Sequence, residues 1–282
     1  MTRLTTIDHD RDAAGLRYVY PVVSRRAGGV SIGVNLNPNN ACNWRCVYCQ
    51  VPALTRGSAP PIELDRLQAE LRQLLAQVQS EAWLTEHVAD PAYRRIVDVA
   101  FSGNGEPTTA EGFDRIVASV MDIVDALQIA DLSRVLITNG SMMGRAQVQR
   151  GLDRLQQSGG EVWFKLDQVA QEQRAALNGS NTSADSARAH LRTAAAHCRT
   201  RLQTCVFALD GAAPSEAWCE SWLSFVGEEL QAGTPIADVL LYGLARPSMQ
   251  PEAPRLGRLP EAWLEAFAER IRALGLPVVV RP

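Results

Sequence analysis

Three of the chain's six cysteines, Cys42, Cys46 and Cys49, lie in one short segment, ACNWRCVYC. Asn37, Pro38, Asn39 and Asn40 just before it favour turns over helix, so the three thiols sit on a loop where they can converge. In a reducing compartment such a trio holds metal or does chemistry more readily than it forms disulfides. A structural zinc closes on four ligands, and His9 and His87 are far off in sequence. A 4Fe-4S cube usually takes four Cys, so three would leave one iron open to a ligand. The plain alternative is three thiols packed as small apolar side chains. Cys198, Cys205 and Cys219 are irregularly spaced and read as buried small residues, and His9, His87, His190 and His197 form no motif.

Four further segments follow expected strand ends. In FSGNGEPTT, Gly103 and Gly105 allow close backbone approach and Pro107 ends strand pairing, which suits a phosphate loop or an ordinary turn. No third glycine or GK[ST] supports the phosphate reading. ITNGS carries Thr138, Asn139 and Gly140, locally a strand-ending turn. In EVWFKLDQV a period of two puts Trp163, Lys165 and Asp167 on one face and Phe164 and Leu166 on the other. A Lys-x-Asp pair facing an interior is costly unless paired or ligand-bound. Lys165 is the only lysine among 28 basic residues, which marks a place where a titratable amine is needed and not a guanidinium. Partial desolvation there predicts a lowered amine pKa and a role on substrate, by ion pairing or an imine. A solvated or salt-bridged lysine is the plain alternative. LLYGLARPSMQP places Tyr242, Arg246 and Gln250 near the last such end, and Arg246 can grip a carboxylate or phosphate with two N–H groups.

The elements that must position these residues alternate regularly. Short β-rich runs occur near 30–37, 96–102, 134–138, 161–167, 201–209, 236–242 and 277–281. Helical stripes fill the gaps: 62–79 spaces Leu64, Leu67, Leu71, Leu74, Leu75 and Val78 by three and four, and 110–128 does the same with Phe113, Ile116, Val117, Val120, Val124 and Leu127. Thr108 with Glu111 predicts a capping box, and Pro260 a first helical residue ahead of Trp263, Phe267, Ile271 and Leu274. Other helices fit 141–157, 182–199 and 215–232, while 50–61 and 168–182 are irregular. Such alternation implies a parallel sheet with right-handed crossovers, either an open doubly wound sheet or a full or partial barrel. In each, ligands gather at the carboxyl ends of the strands, where the segments above lie.

Composition narrows the class. At 282 residues, 46% hydrophobic and 21% charged, the chain is ordinary globular material, and we read one domain over 29–282 after an N-terminal extension over 1–28. No apolar run approaches a membrane span and residues 1–15 resemble no secretory signal, so a cytosolic location and no membrane partner are expected. The formal charge of -3 does not favour nucleic acid.

The trio's spacing, with Tyr48 just before its last Cys, resembles the cluster motif of the radical S-adenosylmethionine (radical SAM) superfamily. The resemblance implies an α/β partial barrel of six strand–helix units. It implies one 4Fe-4S cluster held by Cys42, Cys46 and Cys49, and S-adenosylmethionine on the open iron, with Tyr48 near the adenine. Gly103, Asn104, Gly105 and Glu106 resemble the family's glycine-glycine-glutamate loop, with Asn104 in place of its first glycine, and Asn139 resembles the segment near ribose and methionine. Arg246 joins them as a cofactor-side residue, while Lys165 and Asp167 stand as the catalytic pair. The implied reaction is reductive cleavage of S-adenosylmethionine to a 5′-deoxyadenosyl radical that takes hydrogen from a substrate, fed by an external one-electron reductant such as flavodoxin or ferredoxin. An iron-sulfur electron-transfer protein is the alternative of a different class. NACNWRCVYCQVP and the Lys-x-Asp strand are most similar to the branch containing the tRNA wyosine-forming enzyme, although residues 1–41 carry no additional Cys.

Overall fold

The computed structural model describes residues 3–6, 14–25 and 27–282. Its centre is an eight-stranded sheet whose spatial order follows the chain. We label the strands β1 (Val19–Ser24), β2 (Gly29–Val34), β3 (Ile96–Phe101), β4 (Ser133–Thr138), β5 (Glu161–Lys165), β6 (Arg199–Cys205), β7 (Ile236–Tyr242) and β8 (Val278–Arg281). β1 pairs antiparallel with β2, and every later neighbour is parallel. β1 and β8 do not meet, so the curled sheet is a partial barrel and not a closed one.

Helices cover the outer face: α1 (Leu64–Val78), α2 (Glu81–His87), α3 (Phe113–Ala126), α4 (Ala146–Gln157), α5 (Gln171–Asn178), α6 (Ala184–His197), α7 (Glu216–Gln231) and α8 (Glu261–Arg272). Their stripes go where the spacing sends them. Leu67, Leu71, Leu74, Leu75 and Val78 of α1, with Phe113, Val117, Val120 and Val124 of α3, are buried in one core with Phe101, Leu136, Val162, Phe164 and Leu202 of the sheet. Each fully buried Leu or Phe contributes about 1.5–3 kcal/mol. The inner face is lined differently: Ala100, Val135, Trp163 and Leu240 form a separate small apolar cluster inside the curl. Covering both faces with side chains explains why these parallel strands read as continuous apolar runs.

Several boundaries differ from expectation for local reasons. β1 lies inside the segment read as an N-terminal extension and extends the sheet by one strand. The expected capping box at Thr108 does not form. Glu106, not Thr108, caps the 3-10 turn Pro107–Thr109, and α3 starts only after Gly112, whose φ of +67° ends the turn. Pro260 is the cap of α8 and not its first residue. The stretch 168–182, read as irregular, contains α5, which ends at Gly179 with φ +59°. Among the described residues no helix is long and apolar enough to cross a membrane.

Candidate active site

The carboxyl ends of β2 to β7 open on one cleft of about 270 Å³. Cys42, Cys46, Cys49, Tyr48, Gly103, Asn104, Gly105, Glu106, Asn139, Lys165 and Arg246 all line it. Of the residues singled out from sequence, Asp167, Thr138, Gly140 and Gln250 do not.

The cysteine loop is braced from three sides. Ala41–Cys42 pairs with Thr55–Arg56, closing the loop on itself. The end of α5 supplies backbone acceptors, Asn178 O to Arg45 N at 2.8 Å and Leu177 O to Val47 N at 2.8 Å. From the segment after β7, Ser248 Oγ donates to Val47 O at 2.7 Å and Gln250 Nε2 to Val51 O at 2.9 Å. Val47, Tyr48, Cys205 and Phe207 form a small buried cluster beneath the loop.

The three thiols do not converge on a single point. Among the described residues no three His, Cys, Asp or Glu side chains are grouped about one metal position. A four-iron cube needs no such convergence, because each thiolate binds a different iron. Burial pushes the Cys42 thiol up to about 12 and Cys46 up to about 11. The protein alone therefore keeps both protonated, and a cationic iron centre is what would ionise them. Two N–H donors already face sulfur: Trp44 N to Cys42 Sγ and Asn178 Nδ2 to Cys46 Sγ, each 3.4 Å. Such donors favour thiolate and tune a bound cluster.

The glycine loop meets the cysteine loop directly. A Cβ on Gly105 would sit 2.0 Å from Ala41 O, and one on Gly103, whose φ is +149°, 2.4 Å from Asn35 Oδ1. Close packing against protein accounts for both glycines. Asn104 N donates to Asn35 Oδ1 at 3.1 Å, and Asn104 Nδ2 to Asn40 Oδ1 at 2.6 Å. Glu106 is buried and fully engaged: Oε1 accepts from Thr138 Oγ1 at 2.6 Å and Thr108 Oγ1 at 2.5 Å, and Oε2 from Asn139 N at 2.7 Å. Burial raises its pKa despite these donors. Glu106 thus ties the glycine loop to the end of β4, and Asn139 Nδ2 continues the chain to Asn43 Oδ1 at 2.9 Å, next to Cys42.

On the opposite wall, Trp163 and Lys165 face the cleft while Phe164 and Leu166 join the outer core, as the period of two predicts. Asp167 lies beyond the end of β5, fully buried. Its Oδ1 accepts from Cys205 N at 2.9 Å, and its Oδ2 from Tyr48 OH and, at 3.1 Å, from Asn178 Nδ2. Lys165 Nζ donates to Tyr48 OH at 2.6 Å and stands 3.6 Å from Asp167. The expected lowering of the amine pKa is overturned. Burial is the largest single influence and pushes it down, but Asp167 acting together with Tyr242, Cys46 and Cys205 more than reverses this and holds the amine as an ammonium, well above its ordinary value. Asp167 therefore braces Lys165 and Tyr48 from behind and does not line the cleft. Arg246 Nη2 donates to Thr6 O at 2.8 Å. Cys205, read as buried, is buried and also lines the cleft. The braces Asn178, Ser248 and the Asn43–Asn139 contact carry no motif that could have marked them; Asn178 before a glycine reads only as a helix end.

The fold is similar to that of two solved structures. A radical SAM methyltransferase from Sphaerobacter thermophilus superposes with a TM-score of 0.56 at 18% identity, covering 93% of this chain and 68% of that one. TYW1 with a lysine-pyruvate adduct bound superposes with a TM-score of 0.53 at 12% identity, covering 89% of this chain and 74% of that one. No protein-family model matches. In sequence the chain is similar to the GTPase Obg of Brachyspira hyodysenteriae, 27% identical over 135 residues. That alignment spans 47% of this chain and 17% of the relative's length.

Proposed function

We propose that the chain is a radical SAM enzyme, with Cys42, Cys46 and Cys49 holding a 4Fe-4S cluster and the 103–106 and 138–141 loops holding S-adenosylmethionine. The observation that carries this is the meeting of all three segments on one cleft at the strand ends of this fold. An electron-transfer protein would need the thiols but not the tie from Glu106 through Asn139 to Asn43. When bound, cluster and S-adenosylmethionine supply an electron and a carbon-centred radical able to take hydrogen from an unreactive C–H bond. The protein's own part is orientation and shielding. The apolar cluster below and the buried Tyr48–Asp167 pair beside the thiols exclude water, and Lys165 presents an ammonium donor to the substrate.

A second reading of Lys165 is an imine with a carbonyl substrate, favoured by the lysine-pyruvate adduct of TYW1. It requires Nζ first to pass a proton to a neighbouring acceptor such as Asp167, after which amine and carbonyl condense with loss of water. A tRNA substrate of the wyosine kind is not favoured by a chain of net charge -3. An external one-electron donor such as flavodoxin or ferredoxin completes the scheme. The test is anaerobic reconstitution followed by detection of 5′-deoxyadenosine. Wild type should hold about four iron per chain and form this product. A chain with all three of Cys42, Cys46 and Cys49 changed to Ala should do neither, and equal iron in that variant would sink the assignment.

A further inference from the structure

Gln203 has no task in the scheme above. It sits on β6 with Lys165 of β5 and Leu240 of β7 as its register partners, and it lines the cleft. Its side chain is buried, 1% exposed, yet the amide Nε2 has no hydrogen-bond partner. A buried unpaired donor forfeits its hydration for nothing, and a leucine of similar shape would suit the apolar neighbours Trp163 and Leu240 better. An amide kept in that position is explained by an acceptor that arrives with a ligand.

The surroundings say which acceptor. Lys165 is a donor as well, so two donors from adjacent strands look onto the same level of the cleft, above the apolar floor of Ala100, Val135, Trp163 and Leu240. Arg25, Arg246 and Arg281 also line the cleft, whereas its two lining carboxylates are engaged by protein groups: Glu106 as described, and Asp98 by Ser31 Oγ. We propose that Gln203 is a substrate-binding residue, and that Gln203 and Lys165 together grip a small carboxylate of the substrate resting on the Trp163 floor. The proposal rests on reading this cleft as a substrate site.

The test uses the full chain, reconstituted anaerobically, in equilibrium dialysis against radiolabelled formate, acetate, glyoxylate and pyruvate as probes. Wild type should bind at least one of them saturably. Gln203→Leu should weaken that binding at least ~10-fold, the loss of one hydrogen bond to a charged group. Its ligand-free melting temperature should equal or exceed that of wild type, because an unpaired buried amide has been replaced by an apolar group. Gln203→Glu should abolish binding by like-charge repulsion, with iron content unchanged in both variants. Absence of saturable binding of all four probes to wild type would overturn the proposal. Undiminished binding in Gln203→Leu would do the same, and so would a lowered melting temperature in that variant, which would make the amide structural. Carboxylate binding that needs Gln203, in a chain that forms no 5′-deoxyadenosine, would instead leave this site standing and refute the radical SAM reading.

Discussion

Gly105→Ala should disturb the first thiol without touching any ligand. The new Cβ would lie 2.0 Å from Ala41 O and 2.7 Å from Asn37 Cγ, and real Cβ atoms essentially never approach closer than 3.0 Å, so the two loops must part by about 1 Å. Ala41 immediately precedes Cys42, and its carbonyl accepts from Asn37 Nδ2 at 2.9 Å. Overpacking of this kind costs about 1–3 kcal/mol, and loss of the Asn37 bond adds about 0.5–1.5 kcal/mol. The melting temperature should therefore fall by about 5 °C or more. Iron retained after anaerobic reconstitution should fall with it, and S-adenosylmethionine should perturb the cluster's electron paramagnetic resonance spectrum less. Gly144 has nothing within 4 Å of its Cβ position, so Gly144→Ala is the silent control. If Gly105→Ala matches wild type in iron, ligand response and melting temperature, the contact between the two loops does not hold the cysteine loop in place.

Three other outcomes are expected. Lys165→Arg should keep iron and S-adenosylmethionine binding while substrate turnover drops at least ~100-fold, the scale of a lost proton-transfer or binding group; normal turnover would make the lone lysine incidental. Changing Cys198, Cys205 and Cys219 together to Ala should leave iron content intact, and loss of a second four-iron complement would reveal another cluster. Glu229→Gln should destabilise the fold by about 1.5–3 kcal/mol at neutral pH, measured by urea unfolding. Burial pushes the Glu229 carboxyl up, but Arg192, Thr234 and Arg188 bind its oxygens at 2.8–3.0 Å and hold its pKa below the usual 4.5. A lowered native pKa gives stability that is present above the unfolded value and lost as pH falls through the native one, so the gap between the two proteins should narrow as the pH is taken below the ordinary carboxyl range. A gap independent of pH would remove the ion pairs as its cause.

Much of this protein was legible from spacing alone. The period of 3.6 identified the buried stripes of α1 and α3, and the period of two put Trp163 and Lys165 on the inner face, because each depends only on local backbone geometry. The cysteine trio and the glycine loop were visible because close chemistry needs particular residue types at short separations. What the sequence alone left open depends on contacts between distant segments. The choice of a partial barrel over an open sheet, and the recruitment of β1, follow from how the sheet curls and which edges meet. Glu106 as a tie to Asn139, Asn178 as a donor to Cys46, and Asp167 as the buried support of Tyr48 join residues between 33 and 132 positions apart. The charge of Lys165 also turned on tertiary geometry, although Asp167 is only two residues away in sequence. Desolvation by itself lowers an amine's pKa, and only the fold sets the Asp167 carboxylate at 3.6 Å and gathers Tyr242, Cys46 and Cys205 around the amine, which together outweigh that loss.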